Sequence, residues 1–253
     1  MSNATKIIAS SLGLTLTFGV FAAENACSVR STASLTPVIE LYTSEGCSSC
    51  PPADKWASTL KSANSQGRAV VQAFHVGYWD YIGWVDRFAA PAYTTRQRQI
   101  AATNGLRGIY TPQLVRNGKD WQDYGRALNG NAAGNEPALA QLSLTRLASG
   151  PQGDQFEAMV TPTADAPANW AAYWTVTEHG HSSKVKSGEN AGEFLQHDFV
   201  VRQYTPAGDY KGPAKLSFRS LAADPQHPRQ VNLVVYEPKT GKTLQALSLS
   251  CTG

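Results

Sequence analysis

Val38-Ile39-Glu40-Leu41-Tyr42-Thr43-Ser44-Glu45-Gly46-Cys47-Ser48-Ser49-Cys50-Pro51-Pro52-Ala53-Asp54 runs from an apolar, β-branched strand into two cysteines spaced by two residues. Pro51 and Pro52 suit the first turn of a helix, where no intrahelical N–H bond is lost. Trp56 and Leu60, four residues apart, then share one face of a helix expected over Pro52 to Lys61. A helix N-terminus offers unpaired N–H groups and the positive end of its dipole, and both favour a thiolate. Cys47 is therefore the expected exposed, low-pKa nucleophile. Cys50, one turn along, is the expected buried resolving thiol. Ser48 and Ser49 between them let the pair close without large backbone movement. Glu45 fits this picture poorly, because a carboxylate beside a thiolate opposes the pKa depression.

Ala69 to His75 reads as a second strand, and its near-continuous hydrophobicity implies a sheet covered on both faces. The aromatic segment that follows holds Tyr78, Trp79, Tyr81, Trp84 and Phe88, then a helical run over Thr94 to Thr103. It is expected as a helical insert over the sheet, and it can also line a binding surface. Ile109 to Arg116 is strand-like, and Asn117-Gly118 is a strong hairpin signal. Asn135-Glu136-Pro137 is expected to open a closing helix to about Leu142. Beyond Gly150-Pro151-Gln152-Gly153, alternation takes over: Phe156, Ala158 and Val160; Trp174 and Val176; Phe199 and Val201; Leu216 and Phe218; Val231, Leu233 and Val235; Leu247 and Leu249. Many short strands with polar turns read as a β-sandwich or similar domain. The expected order is an export signal over 1–22, an α/β domain over 35–147 and an all-β domain over 152–253.

With 42% hydrophobic and 16% charged residues among 253, the chain is globular, and its net charge of +3 comes from basic residues scattered singly. That excludes a nucleic-acid groove, which needs a clustered basic footprint. Lys6 is the only charge before Glu24, Ile7 to Ala23 is apolar or small, and Val20-Phe21-Ala22 is an acceptable cleavage site. This is the pattern of a secretory signal peptide. No later stretch approaches the roughly 20 apolar residues of a membrane span. A periplasmic or secreted protein without stable membrane insertion is expected.

In an oxidising compartment the four cysteines should be bridged. Three pairings are possible. The simplest joins Cys27 to Cys251 and leaves Cys47 and Cys50 as a separate active pair. The long bridge would be worth roughly 4–5 kcal/mol in chain-entropy terms. His75, at the end of the second strand, and Trp79 are candidate neighbours of the pair. His179-Gly180-His181 reads as a polar loop. No cofactor is expected. An inert CxxC staple in a binding module remains open, as does a copper(I) site on the thiolates of Cys47 and Cys50, which soft ions prefer. A structural zinc site would normally need four ligands.

Val38 to Asp54, Phe74 to Trp84, Tyr93 to Gln99, Tyr110 to Gln113 and Gly188 to Arg202 together resemble a bacterial family, domain of unknown function 1223, of thioredoxin-like type. The resemblance implies an exported protein with a thioredoxin-like domain and an extra C-terminal region. In thioredoxin-like proteins a threonine or similar residue precedes a cis-proline facing the CxxC helix, and its backbone receives the substrate chain. Thr111-Pro112 resembles that element, so Thr111, Pro112, Ser48 and Ser49 are expected to bind substrate. The resemblance implies no substrate; the expected activity, thiol–disulfide exchange with protein thiols and disulfides, is read from the Cys47/Cys50 pair at the strand-to-helix junction. The chain departs from thioredoxin at Gly46, where thioredoxin has tryptophan, and at Ser48-Ser49, where it has glycine-proline. Gly77 stands where the family usually has an acidic residue.

Overall fold

A computed structural model describes residue 1 and residues 27–124 and 136–251; the expected export signal lies outside the described residues. Strand β1 (Ser28–Arg30) leads into β2 (Val38–Thr43), helices α1 (Pro51–Ser58) and α2 (Lys61–Ser65), and β3 (Val70–His75). Strands β2 and β3 are parallel neighbours, in register from Val38↔Val70 to Thr43↔His75. Every residue of both strands is buried.

The aromatic segment after β3 is mostly turns, with a single 3-10 turn at Asp80–Ile82 before α3 (Pro91–Thr103). Strand β4 (Gln113–Arg116) returns antiparallel to β2, and a hairpin at Asn117-Gly118 leads to β5 (Lys119–Asp120). Both turn residues have positive φ, 50° and 80°, as that hairpin class requires. At Gly118 a side chain would also meet the Gly241 carbonyl oxygen at 1.9 Å.

The helix expected to Leu142 is instead strand β6 (Ala140–Ala148), preceded by a bridge between Ser34 and Pro137. Period-2 burial of Ala140, Leu142 and Leu144 explains the outcome. Antiparallel strands then follow: β7 (Gln155–Pro162), β8 (Trp170–Glu178), β9 (His181–Lys184), β10 (Phe194–His197), β11 (Val200–Tyr210), β12 (Ala214–Arg219), β13 (Arg229–Tyr236) and β14 (Thr243–Leu249). The expected polar loop at His179–His181 is thus corrected: His181 begins β9, pairs with His197 of β10, and is buried.

The strands form one eight-stranded sheet, ordered β14-β13-β8-β11-β3-β2-β4-β5, a four-stranded sheet, β1-β6-β7-β12, and the β9–β10 ribbon. The large sheet crosses from the CxxC half to the C-terminal half where β11 lies parallel to β3, at Val200↔Ala73. Helix α1 places Ala53, Trp56 and Ala57 against Ile39, Leu41 and Val71 on one face of β2 and β3. Tyr93 and Ile100 of α3 pack with Tyr42, Phe74 and Val115 on the other. The β8, β13 and β14 end packs on the four-stranded sheet through Trp170, Trp174, Phe156, Phe218 and Leu233. Among the described residues no helix is long and apolar enough to cross a membrane.

Candidate functional site

Strand β2 ends at Thr43, and the chain makes two tight turns before α1: the Cys47 N–H donates to Ser44 O at 3.1 Å and the Cys50 N–H to Cys47 O at 3.2 Å. Cys50 becomes the N-cap of α1, and Cys47 and Cys50 are joined by a disulfide with Cα atoms 5.4 Å apart. Two expectations need correcting here. Cys47 is buried, 1% exposed, as is Cys50 at 0%. The helix also lacks the free donors assumed for it. Pro51 and Pro52 have no N–H, and the Ala53 and Asp54 N–H groups both donate to Cys50 O.

Two segments flank the Cys47 loop. The Asn190 amide, from the turn between β9 and β10, donates to Glu45 O at 2.8 Å and Cys47 O at 3.0 Å. Beside it the Glu189 carboxylate accepts the Ser48 N–H at 3.0 Å. On the other side stands Trp79: a Cβ on Gly46 would lie 2.9 Å from the Trp79 Cβ. Trp79 Nε1 donates to Thr111 Oγ1 at 2.8 Å, and Thr111-Pro112 is cis. Pairing of Gln113 with Tyr42 brings Thr111 and Pro112 to the end of the sheet where the cysteine loop starts. Ser48 and Ser49 are exposed, and Ser49 Oγ is 3.4 Å from Cys47 Sγ.

A layer of buried charge underlies the loop. His75 Nδ1 is 2.7 Å from Asp86 Oδ2, which also accepts the Glu45 N–H at 2.9 Å. The Glu45 carboxylate turns inward, to His197 Nε2 at 3.1 Å and Trp84 Nε1 at 2.7 Å. The His75 and His197 rings lie edge to face, 4.9 Å between centroids. Burial pushes Glu45 up, but hydrogen bonds from His197, Ser183 and Trp84 outweigh it and hold the carboxyl below its ordinary value. The carboxylate that fitted the sequence poorly thus serves His197. Asp54 takes a hydrogen bond from Thr43 Oγ1 at 3.1 Å, and burial pushes its carboxyl up despite the nearby histidines.

A cleft of about 670 Å³ opens beside α1, lined by Ser48, Pro51, Asp54, Glu189, Asn190 and His197 among others. It reaches the buried charge from the Ser48 side. Among the described residues no group of three or more His, Cys, Asp or Glu side chains could hold a metal ion.

The structure brings Cys47, Cys50, Ser48, Ser49, Glu45, His75, Trp79, Thr111 and Pro112 to one region. Cys27 and Cys251 are bridged elsewhere, Cα atoms 5.9 Å apart, and pack against the core between the two sheets. Asp54, Asp86, Glu189, Asn190 and His197 were not singled out from the sequence. Glu189 and Asn190 lie in the Gly188 to Arg202 segment, and Asp54 closes the CxxC motif. Those positions were the available signal.

The family model described as "Protein of unknown function (DUF1223)" matches residues 38–236. Among solved structures the chain is similar to protein AGR_C_4864 from Agrobacterium tumefaciens, with 22% identity, a TM-score of 0.60, and coverage of 87% of this chain and 96% of that one. It is also similar to HBP35 of Porphyromonas gingivalis, with 13% identity, a TM-score of 0.60, and coverage of 87% and 76%. At such identities the likeness is one of fold. No curated protein matches the chain.

Proposed function

The chain belongs to the DUF1223 family, and from that premise we propose that it is an exported thiol–disulfide oxidoreductase of thioredoxin-like type, acting on protein thiols and disulfides. The observation that carries this reading is a closed Cys47–Cys50 pair at the start of α1, with Trp79 beside its loop bonded to Thr111. A pure staple needs no layer of buried histidines and carboxylates beneath it. The Cys27–Cys251 bridge supports export, since disulfides persist in oxidising compartments.

In the reduced protein, once a partner has displaced the cover over the buried Cys47, its thiolate attacks one sulfur of the partner disulfide and expels the other as a thiolate. Cys50 then attacks the Cys47 sulfur of the mixed disulfide, expels the second partner thiolate and restores the Cys47–Cys50 bond. Two electrons pass to the partner; the reverse sequence oxidises it. Asp54 lies four residues from Cys50 on the same helix face. With its carboxyl pushed up by burial, it can accept the Cys50 proton and exchange it through the cleft.

The test is trapping. Cys50→Ala should accumulate mixed disulfides through Cys47 in an exported extract, and Cys47→Ala almost none. If neither variant traps a partner, and the reduced protein does not reduce a model peptide disulfide, the pair is a staple.

A further inference from the structure

Glu189 places a carboxylate on the first backbone N–H after Cys47. The Ser48 N–H belongs to the peptide unit leaving Cys47, and it points to Glu189 Oε2 at 3.0 Å. The Ser48 hydroxyl and N–H together hold the Glu189 carboxyl below its ordinary value, so it is ionised at neutral pH. The usual compensation is missing, because the first two helical positions are prolines and the next two N–H groups serve Cys50 O.

The other groups around Cys47 do not cancel this charge. Glu45 points inward to His197 and Trp84, Trp79 and Asn190 are neutral, and Asp54 is buried behind. Lys55 and Lys61 line the same cleft with Glu193, and Lys61 is paired with Asp198 at 2.8 Å. Ser49 Oγ lies 3.4 Å from the Cys47 sulfur.

We propose that Glu189 is a redox-tuning residue that keeps the reduced Cys47 less acidic, and the Cys47–Cys50 pair more reducing, than the cysteine pair and its helix would be without it. The electrostatics fix the direction. A fixed negative charge beside Cys47 disfavours its thiolate, and so disfavours the reduced state relative to the disulfide. The pair then gives electrons more readily than it accepts them. In the exchange sequence above it reduces the partner disulfide and must be recharged by a dithiol of still lower potential. The inference deepens the oxidoreductase reading and rests on it for its biological meaning.

Two measurements on the mature protein test it. Iodoacetamide alkylation of the dithiothreitol-reduced protein across pH, read at Cys47 by mass, gives its pKa. Equilibration in glutathione buffers gives the fraction of Cys47–Cys50 disulfide. Glu189→Gln keeps an acceptor for the Ser48 N–H and removes the charge. It should lower the Cys47 pKa and shift the equilibrium toward the dithiol by about two- to fivefold. Glu189→Asp should restore most of the wild-type behaviour, and Glu193→Gln, on the same cleft, should change little. Wild-type pKa and equilibrium in Glu189→Gln would overturn the proposal, as would an equal shift in Glu193→Gln. The alkylation titration reads Glu189 whether or not protein disulfides are substrates. A failure of partner trapping therefore counts against the function alone.

Discussion

His75 Nδ1 and Asp86 Oδ2 stand 2.7 Å apart, with both side chains sealed from solvent, and Asp86 also fixes the Glu45 N–H two residues before Cys47. Burial alone would raise Asp86, but the His75 charge and hydrogen bond and the N–H groups of Glu45 and Phe88 hold it below its ordinary value. Burial alone would lower His75, but Asp86, with Asp54 and Glu45, holds it above its own.

Asp86 therefore contributes stability above the ordinary carboxylate pKa of about 3.9, and loses it as pH falls through the depressed value. His75 contributes fully below about 6.5, and loses its contribution as pH rises through the raised value. The stability difference between wild type and Asp86→Asn should be largest between about pH 4 and 6.5, at about 3–5 kcal/mol for breaking a buried pair. It should shrink on both sides of that window. Urea unfolding at several pH values measures it, and a pH-independent difference would refute the pairing.

Arg96 of α3 binds Glu40 of β2 in a fork, Nη2 to Oε1 at 2.6 Å and Nε to Oε2 at 2.9 Å, with both side chains buried. Tyr42 and Tyr173 hydroxyls donate to the same carboxylate at 2.7 and 3.1 Å. Arg96→Met leaves the carboxylate without its cation and should cost about 3–5 kcal/mol. The double variant Arg96→Met with Glu40→Leu should be less destabilised than the single one. Denaturant titration of the three proteins decides it; a double variant worse than the single would show that packing, not charge, sets the cost.

Replacing both Cys27 and Cys251 with serine should lower stability by about 3–5 kcal/mol, since their bridge closes a loop with a sequence separation of 224. The Cys47 alkylation rate of the reduced protein should stay unchanged, because the bridge packs against the core between the sheets, away from the CxxC loop. Thermal unfolding and the alkylation assay, run on one preparation, check both halves.

Gly46→Ala places a Cβ 2.9 Å from the Trp79 Cβ, so the aromatic segment must shift. The expected cost is about 1–3 kcal/mol. The shift should also loosen the Trp79 Nε1–Thr111 Oγ1 bond and uncover Cys47. Faster iodoacetamide reaction of reduced Cys47 at fixed pH is the expected readout. An unchanged rate would mean that Trp79 is no part of the cover.

Local patterns placed β2, β3, the start of α1, the Asn117-Gly118 hairpin and most strands after Gly153, because strand alternation, helix starts and turn chemistry are written over a few adjacent residues. The failures have physical causes too. Ala138 to Leu142 holds good helix formers, yet antiparallel pairing with β7 made Ala140 to Leu142 the start of a strand. His181 looked like loop because its burial depends on β10, which pairs with it from outside the local window.

The sequence by itself determined that a disulfide-capable pair would sit where a strand becomes a helix, because two intervening residues leave both cysteines on one turn. Only the tertiary structure decided how that pair is tuned. His197 meets Glu45 across 152 positions, and Glu189 takes the Ser48 N–H across 141. Pairings of this kind arise because β10 folds back onto α1 and the turn before it reaches the cysteine loop, and no short-range periodicity encodes which charges that return brings together.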